Sequence, residues 1–117
     1  MEQQVIELPG SDGIQPVVVP ELAEGATIQA RFEAFHRHNP WVLQQLEALA
    51  AHVLDQGSRR IGISMLFELL RYRYGVATHG GEFRRLNNDF RSRYARLICE
   101  RHPEWRSRFE LRALRSE

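Results

Sequence analysis

With 117 residues, 43% of them hydrophobic and 9% aromatic, the chain supports one domain with a modest core and is too apolar for a disordered segment. Cys99 is its only cysteine, which excludes an intrachain disulfide and a cysteine-based zinc cage. All sixteen positive side chains are arginines; residues 1–58 carry a net charge of −6 and residues 59–117 a net +7, so the total of +1 conceals an acidic front and a basic back. Such a split points to a polyanion-facing surface in the second half, because the summed field of a chain acts on its partners.

Residues 1–26 hold Pro9, Pro16 and Pro20 together with Gly10, Gly13 and Gly25, and Pro9 to Gly13 is strong turn chemistry. Val17 to Val19 suit a short edge strand, bracketed by prolines on both sides. The expectation for 1–26 is a flexible acidic arm, with residues 27–117 forming a single helical domain. The arm lacks the basic lead and apolar run of a secretory signal, and no apolar stretch approaches the ~20 residues a bilayer span needs. A soluble cytoplasmic protein with no membrane partner is expected.

Thr27 suits the N-cap of a first helix that places Ile28, Phe32 and Phe35 on one face. Asn39-Pro40 then restarts the chain, with asparagine as cap and proline at the first helical position. The second helix is expected to run to about Gln56 and stop at Gly57. Its apolar stripe is Val42, Leu46, Leu49 and Val53, widened by Leu43, Ala50 and Leu54. Trp41, off that stripe, either closes the core against the first helix or stands exposed as an interaction anchor.

Arg59 to Ile63 alternates like a short strand, and Ser64 suits the cap of a third helix ending at Gly75 with Leu66, Phe67, Leu70 and Tyr74 inward. Gly80-Gly81, flanked by Val76, Thr78 and Phe83, permits a small β-hairpin. Asn87 or Asn88 is expected to cap a fourth helix reaching about His102, with Phe90, Tyr94, Leu97, Ile98 and Arg101 on one side. The tail keeps Trp105, Phe109, Leu111 and Leu114 and is expected to pack back on the domain. The fold class is therefore mostly α, a compact four-helix domain compatible with a helix-turn-helix or winged-helix arrangement. The twelve residues from Gly75 to Leu86 exceed the 3–4-residue turn of that motif.

The fourth helix carries the strongest site candidate. Asp89, Ser92, Arg93 and Arg96 fall opposite its apolar stripe, with Asn88 at the start. Arginine, asparagine and serine near a helix N-terminus are the side chains that read base edges in a major groove. Arg59, Arg60, Arg84 and Arg85 would clamp phosphates, and Asn87 and Arg91 complete the nucleic-acid set. The bland alternative is an ordinary amphipathic helix whose arginines pair with Asp89 and Glu100. His36-Arg37-His38 points its imidazoles to different sides of a helix, so no metal site is expected. Cys99 reads as a structural thiol. No phosphate-binding glycine loop or nucleophile elbow is present, so neither an enzyme nor a cofactor is expected.

From Phe32 onward the chain resembles a family of small proteins from phages and bacterial prophages. The resemblance rests on Phe32 to His36, Asn39-Pro40, Phe83 with Leu86-Asn87-Asn88, Tyr94-Ala95-Arg96, Pro103 and Phe109, and covers about residues 31–116. It implies a phage or bacterial origin and carries no established activity; Asp89 stands where such sequences lead one to expect a third asparagine. The leading expectation is a phage-type DNA-binding regulator or replication accessory acting on duplex DNA. The alternative is a protein–protein module, an inhibitor or adaptor of a host protein that docks through Trp41, Phe32 and Phe35, or a self-associating homodimer.

Overall fold

The computed structural model describes residues 13–78 and 88–109. Four α-helices, α1 (Ile28–His38), α2 (Pro40–Asp55), α3 (Ile63–Ala77) and α4 (Arg91–Arg101), are joined by 3-10 segments at Asn88–Phe90 and Pro103–Arg108. Among these residues the one β-type contact is a parallel bridge between Ile61 and Phe109.

The start of α1 follows its sequence: the Thr27 hydroxyl accepts from the Ala30 amide at 3.1 Å, satisfying a donor the helix cannot. Ile28, Phe32, Ala34 and Phe35 form its buried face. Pro40 opens α2 at the first helical position, and Gly57 ends its exit turn at φ +98°, a conformation open mainly to glycine. α2 has Val42, Leu46, Leu49 and Ala50 sealed from solvent. Trp41 is buried as well, and its indole stacks on Tyr74 of α3 at 6.1 Å. It closes the core against α3, and the exposed-anchor reading does not hold.

Asn39 departs from its expected role. Its side chain makes no cap bond to α2. The residue is wholly buried, and its amide nitrogen donates to the Phe35 carbonyl at 3.0 Å and to the Val18 carbonyl at 2.6 Å. Its oxygen accepts from the Val18 amide at 2.8 Å. One carboxamide thus pairs with both backbone groups of a single arm residue, as a neighbouring strand would. The Val17 amide donates to the Tyr74 hydroxyl at 3.1 Å, and Ile14 and Val17 pack on the core. The second half of the expected arm is therefore anchored at Val17–Val18, without forming a strand; residues 1–12 lie outside the described residues.

Further along, Ser64 does not cap α3, which begins one residue earlier behind Gly62. Arg59 to Ile63 contributes one bridging residue in place of a strand. Gly75 does not stop α3, which continues to Ala77, where the Thr78 hydroxyl donates back to the Tyr74 carbonyl at 2.6 Å. Val76 is thereby helical and unavailable to the expected hairpin, the remainder of which, residues 79–87, lies outside the described residues. Before α4 the chain takes a 3-10 turn at Asn88–Phe90, so neither asparagine serves as the α-helical cap; Phe90 holds that position. Phe109 packs back as expected, buried beside Ile61.

The core gathers around Tyr94, which has no exposed surface. Phe32 meets it edge-on at 4.8 Å and Phe67 at 6.0 Å, while Phe90 contacts Phe32 at 5.7 Å and Phe35 at 5.4 Å. Offset and edge-to-face pairs of this kind add to the burial of their area. The Tyr94 hydroxyl is sealed without a hydrogen-bond partner, and burial raises its pKa. No helix among the described residues is long and apolar enough to cross a membrane.

Replacing Asn39 with alanine removes three hydrogen bonds and strands buried backbone groups. Chemical denaturation of Asn39→Ala is expected to show a loss of about 2–4 kcal/mol. Limited proteolysis should then cut within residues 13–26 at a denaturant concentration that leaves the parent intact.

Candidate nucleic-acid interface

The face of α4 expected to meet DNA is turned into the protein. Arg93 is 9% exposed. Its Nε donates to Gln29 Oε1 on α1 at 2.8 Å, and Nη1 reaches the Asp89 carbonyl at 3.5 Å. Arg91 donates from Nη1 to the Ser64 hydroxyl at 3.0 Å and lies over the Phe67 ring at 5.4 Å, a cation–π contact that ties α4 to the first turn of α3. Ser92 and Arg96 are half-buried, and within α4 only Glu100 and Arg101 are exposed. Of the expected set on α4, Arg93 is withdrawn from solvent, and Arg91, Ser92 and Arg96 are partly withdrawn.

The reason is geometric. Reading one apolar stripe as the whole inner face presumes that α4 packs on one side. In the fold it contacts α2, α3 and both 3-10 segments, while Arg93 crosses to α1. Ala95 and Cys99 extend the buried arc on one side of the expected stripe, and Arg93 extends it on the other, beside Leu97. Arg101, expected inward, is the exposed one: its Nε donates to Glu47, which raises its pKa, and Nη2 reaches the other carboxylate oxygen at 3.4 Å. His102 Nε2 lies 3.0 Å from the same Glu47 carboxylate, and the His102 ring stacks on Trp105 at 4.0 Å.

Arg93 and Arg96 line a cleft of about 350 Å³ between α1 and α4, facing Phe32, Glu33, His36 and Glu100. His36 stacks on Phe32 at 6.1 Å and meets Tyr94 edge-on, and its buried Nδ1 has no hydrogen-bond partner. Burial first, then the Arg101 charge, lowers the His36 pKa; Glu47 opposes them. The fold therefore favours the neutral imidazole. His38, two residues on, turns to the Ala34 carbonyl at 2.9 Å. Among the described residues no group of three or more His, Cys, Asp or Glu side chains is placed to hold a metal ion. The Cys99 thiol is pushed up by burial, against the pull of Arg106 and Arg96.

Other expected residues do converge, at the opposite end of α2 and beneath α3. The Ile61 amide donates to the Arg108 carbonyl at 2.8 Å, and Arg108 Nη1 donates to the Ser58 carbonyl at 3.0 Å. This bridge sets Arg59 and Arg60 alongside the 3-10 segment that carries Arg106 and Arg108, and all four are exposed. Arg106 and Arg108 escaped the sequence reading because nothing local relates residue 59 to residue 108; the only hint was a tail rich in aromatic residues. Arg84, Arg85 and Asn87 lie outside the described residues, as does the Asn88 side chain. The alternative docking set does not reach the surface: Trp41 and Phe35 are each 3% exposed and Phe32 is 6% exposed. Phe35 does floor a second cleft, of about 330 Å³, with Phe90, beneath Val19, Leu22 and Arg31.

No family model, curated protein or solved structure matches this chain.

Two outcomes follow. Arg93→Ala is expected to cost about 1.5–3 kcal/mol in denaturation experiments, the range for a buried hydrogen bond to a charged group. Because the folded pKa of His36 lies below its unfolded value of 6.5, the unfolded chain binds the extra proton as pH falls. The His36 contribution is complete above 6.5, declines below it, and levels off once the folded imidazole is also protonated. His36→Gln should lose less stability than the parent between about pH 7.5 and about pH 5.5, measured by urea unfolding at both values.

Proposed function

We propose that the protein binds DNA through its phosphate backbone, using an exposed arginine edge formed by Arg59, Arg60, Arg106 and Arg108. The observation that supports this reading is the Ile61–Phe109 bridge, which brings side by side two segments distant in sequence that each carry a pair of exposed arginines. Arginine suits the task because its fork offers five donors; Arg108 spends one on Ser58 and keeps the rest at the surface.

The binding mode differs from the one the sequence pointed to. With α4 enclosed, no helix–turn–helix-type insertion supplies base contacts, so affinity comes from charge neutralisation and is largely independent of sequence. A regulator or replication accessory of a phage or prophage that coats or clamps DNA fits this mode better than an operator-reading repressor. The same edge accepts single-stranded DNA, since phosphates are its target.

The test is a fluorescence-anisotropy titration with a random-sequence duplex over a series of salt concentrations. The parent should bind at low ionic strength with a strong salt dependence. Changing all four arginines to glutamine should weaken binding about 100-fold and reduce the slope of log affinity against log salt by about 3.6, at roughly 0.9 per phosphate contact. Absence of binding at low salt, or a glutamine variant that binds like the parent, would remove this reading.

A further inference from the structure

The 3-10 segment after α4 carries an aromatic pair beside its two arginines. Its first turn is closed by the Trp105 amide, which donates to the His102 carbonyl at 2.9 Å. A 3-10 helix has three residues per turn, so side chains three apart eclipse. With His102 as the cap of Pro103–Arg108, residues 102, 105 and 108 fall in one column. The stacking of the His102 and Trp105 rings, 4.0 Å apart and 11° from parallel, agrees with that register. Trp105 is half-buried, with part of its indole on the core, while Arg108 is exposed at the end that meets Ser58 and Ile61.

We infer that this column is a stacking platform for an unpaired nucleobase, so that the arginine edge engages single-stranded DNA in preference to duplex. The inference rests on the edge binding phosphates, as proposed above, and adds what lies next to it. Trp105 stands one 3-10 turn, roughly 6 Å along the axis, from Arg108. The base and phosphate of one nucleotide span such a separation. An indole takes any base on its π surface, and proteins that hold single strands combine such rings with a cationic track. In a duplex the bases are already paired and stacked on one another, which leaves the phosphates for the arginines and nothing for the indole.

Two features of the column favour a base on Trp105 and a phosphate on Arg108. The first is rigidity. His102 Nε2 lies 3.0 Å from the Glu47 carboxylate and Nδ1 3.6 Å from that of Glu104, so the imidazole that backs the indole is held at both nitrogens. A ring already fixed in place loses little freedom when a base lands on the part that reaches solvent. The second is charge. Glu104, with its side chain 65% exposed, stands at the His102 end of the column, and Arg108 stands at the other. A phosphate is repelled from the first end and drawn to the second, whereas an uncharged base tolerates both neighbours.

The test compares two labelled probes at one low salt concentration, a dT oligomer of about 12 nucleotides and a random-sequence duplex. The parent should bind dT more tightly than duplex. Trp105→Leu, which keeps an apolar group on the core, should weaken dT binding about 5- to 150-fold, the loss of one base stack, and leave duplex binding within about 2-fold. Trp105→Phe should recover most of that loss. Unlabelled dT at saturation should also quench the indole emission of the parent. The quench should vanish in Trp105→Phe, because Trp41 is buried against Tyr74. Indole emission unmoved by bound dT, duplex bound as tightly as dT, or a Trp105→Leu chain that matches the parent on dT or loses both probes equally would each overturn the platform and leave the arginine edge standing. If neither probe binds at low salt, the edge falls and the platform with it.

Discussion

The corner between α1 and α2 turns on one buried carboxamide. Asn39 follows the last residue of α1 and precedes Pro40, so its backbone belongs to both helix ends. Its side chain, unable to reach solvent, must find every partner inside. It adds a second donor to the Phe35 carbonyl, which also accepts from the Asn39 backbone amide, and closes a two-way pair with Val18. The same group thus fixes the angle between the helices and the path of the chain that leads into them. Aspartate would lose the donations and leucine would strand the backbone groups, so the position demands a side chain that donates and accepts at once. Closure of Val17 and Val18 over this corner is what brings Val19 and Leu22 above Phe35 and Phe90.

A second constraint is the enclosure of α4. Eleven residues flanked by two 3-10 segments bury Tyr94, Ala95, Ile98 and Cys99 and then Arg93 as well. Burying a guanidinium is tolerable only when hydrogen bonds replace its water, and Gln29 and the Asp89 carbonyl do this for Arg93. Arg91 takes the other option, lying flat on Phe67 with one nitrogen on Ser64. Both solutions use the planarity and fork of arginine, and a lysine would fit neither. Part of the arginine bias of the second half is therefore architectural.

What could be read from the chain beforehand divides along the same line. Helix existence, the Thr27 cap, proline at the start of α2 and the α2 stripe follow from local rules, periodicity, capping chemistry and amphipathicity, which leave Trp41, off that stripe, open between core and surface. Three features did not follow from those rules, two of them because they depend on residues far apart. Asn39 has the sequence signature of a cap, and only the tertiary position of Val18 gives its side chain better partners. Gly75 has the signature of a helix stop, yet the turn that contains it continues to Ala77, with Thr78 bonding back to Tyr74. The α4 face had the signature of a polar surface, and its burial depends on how many neighbours surround the helix, which periodicity does not record. The arginine edge was half legible: Arg59 and Arg60 were visible as a pair, and the pairing of Ile61 with Phe109 was not.

This has a consequence for inferring partners from charge. The net +7 of residues 59–117 counts every guanidinium equally, but the field a partner meets comes only from those at the surface and not offset locally. Arg93 is spent inside; Arg71 and Arg101 are held by Glu68 and Glu47. Glu47 belongs to the acidic half, so part of the charge split is cancelled across the fold by a single contact between α2 and α4. Among the described residues of the second half, Arg59, Arg60, Arg106 and Arg108 are exposed on the α2–α3 connection and the 3-10 segment after α4. Four charges on two short adjoining segments present a higher local potential than fourteen distributed around a domain, since screening confines each to roughly 10 Å. What would draw a phosphate ligand is therefore the bridge that adjoins those segments more than the net charge of the second half.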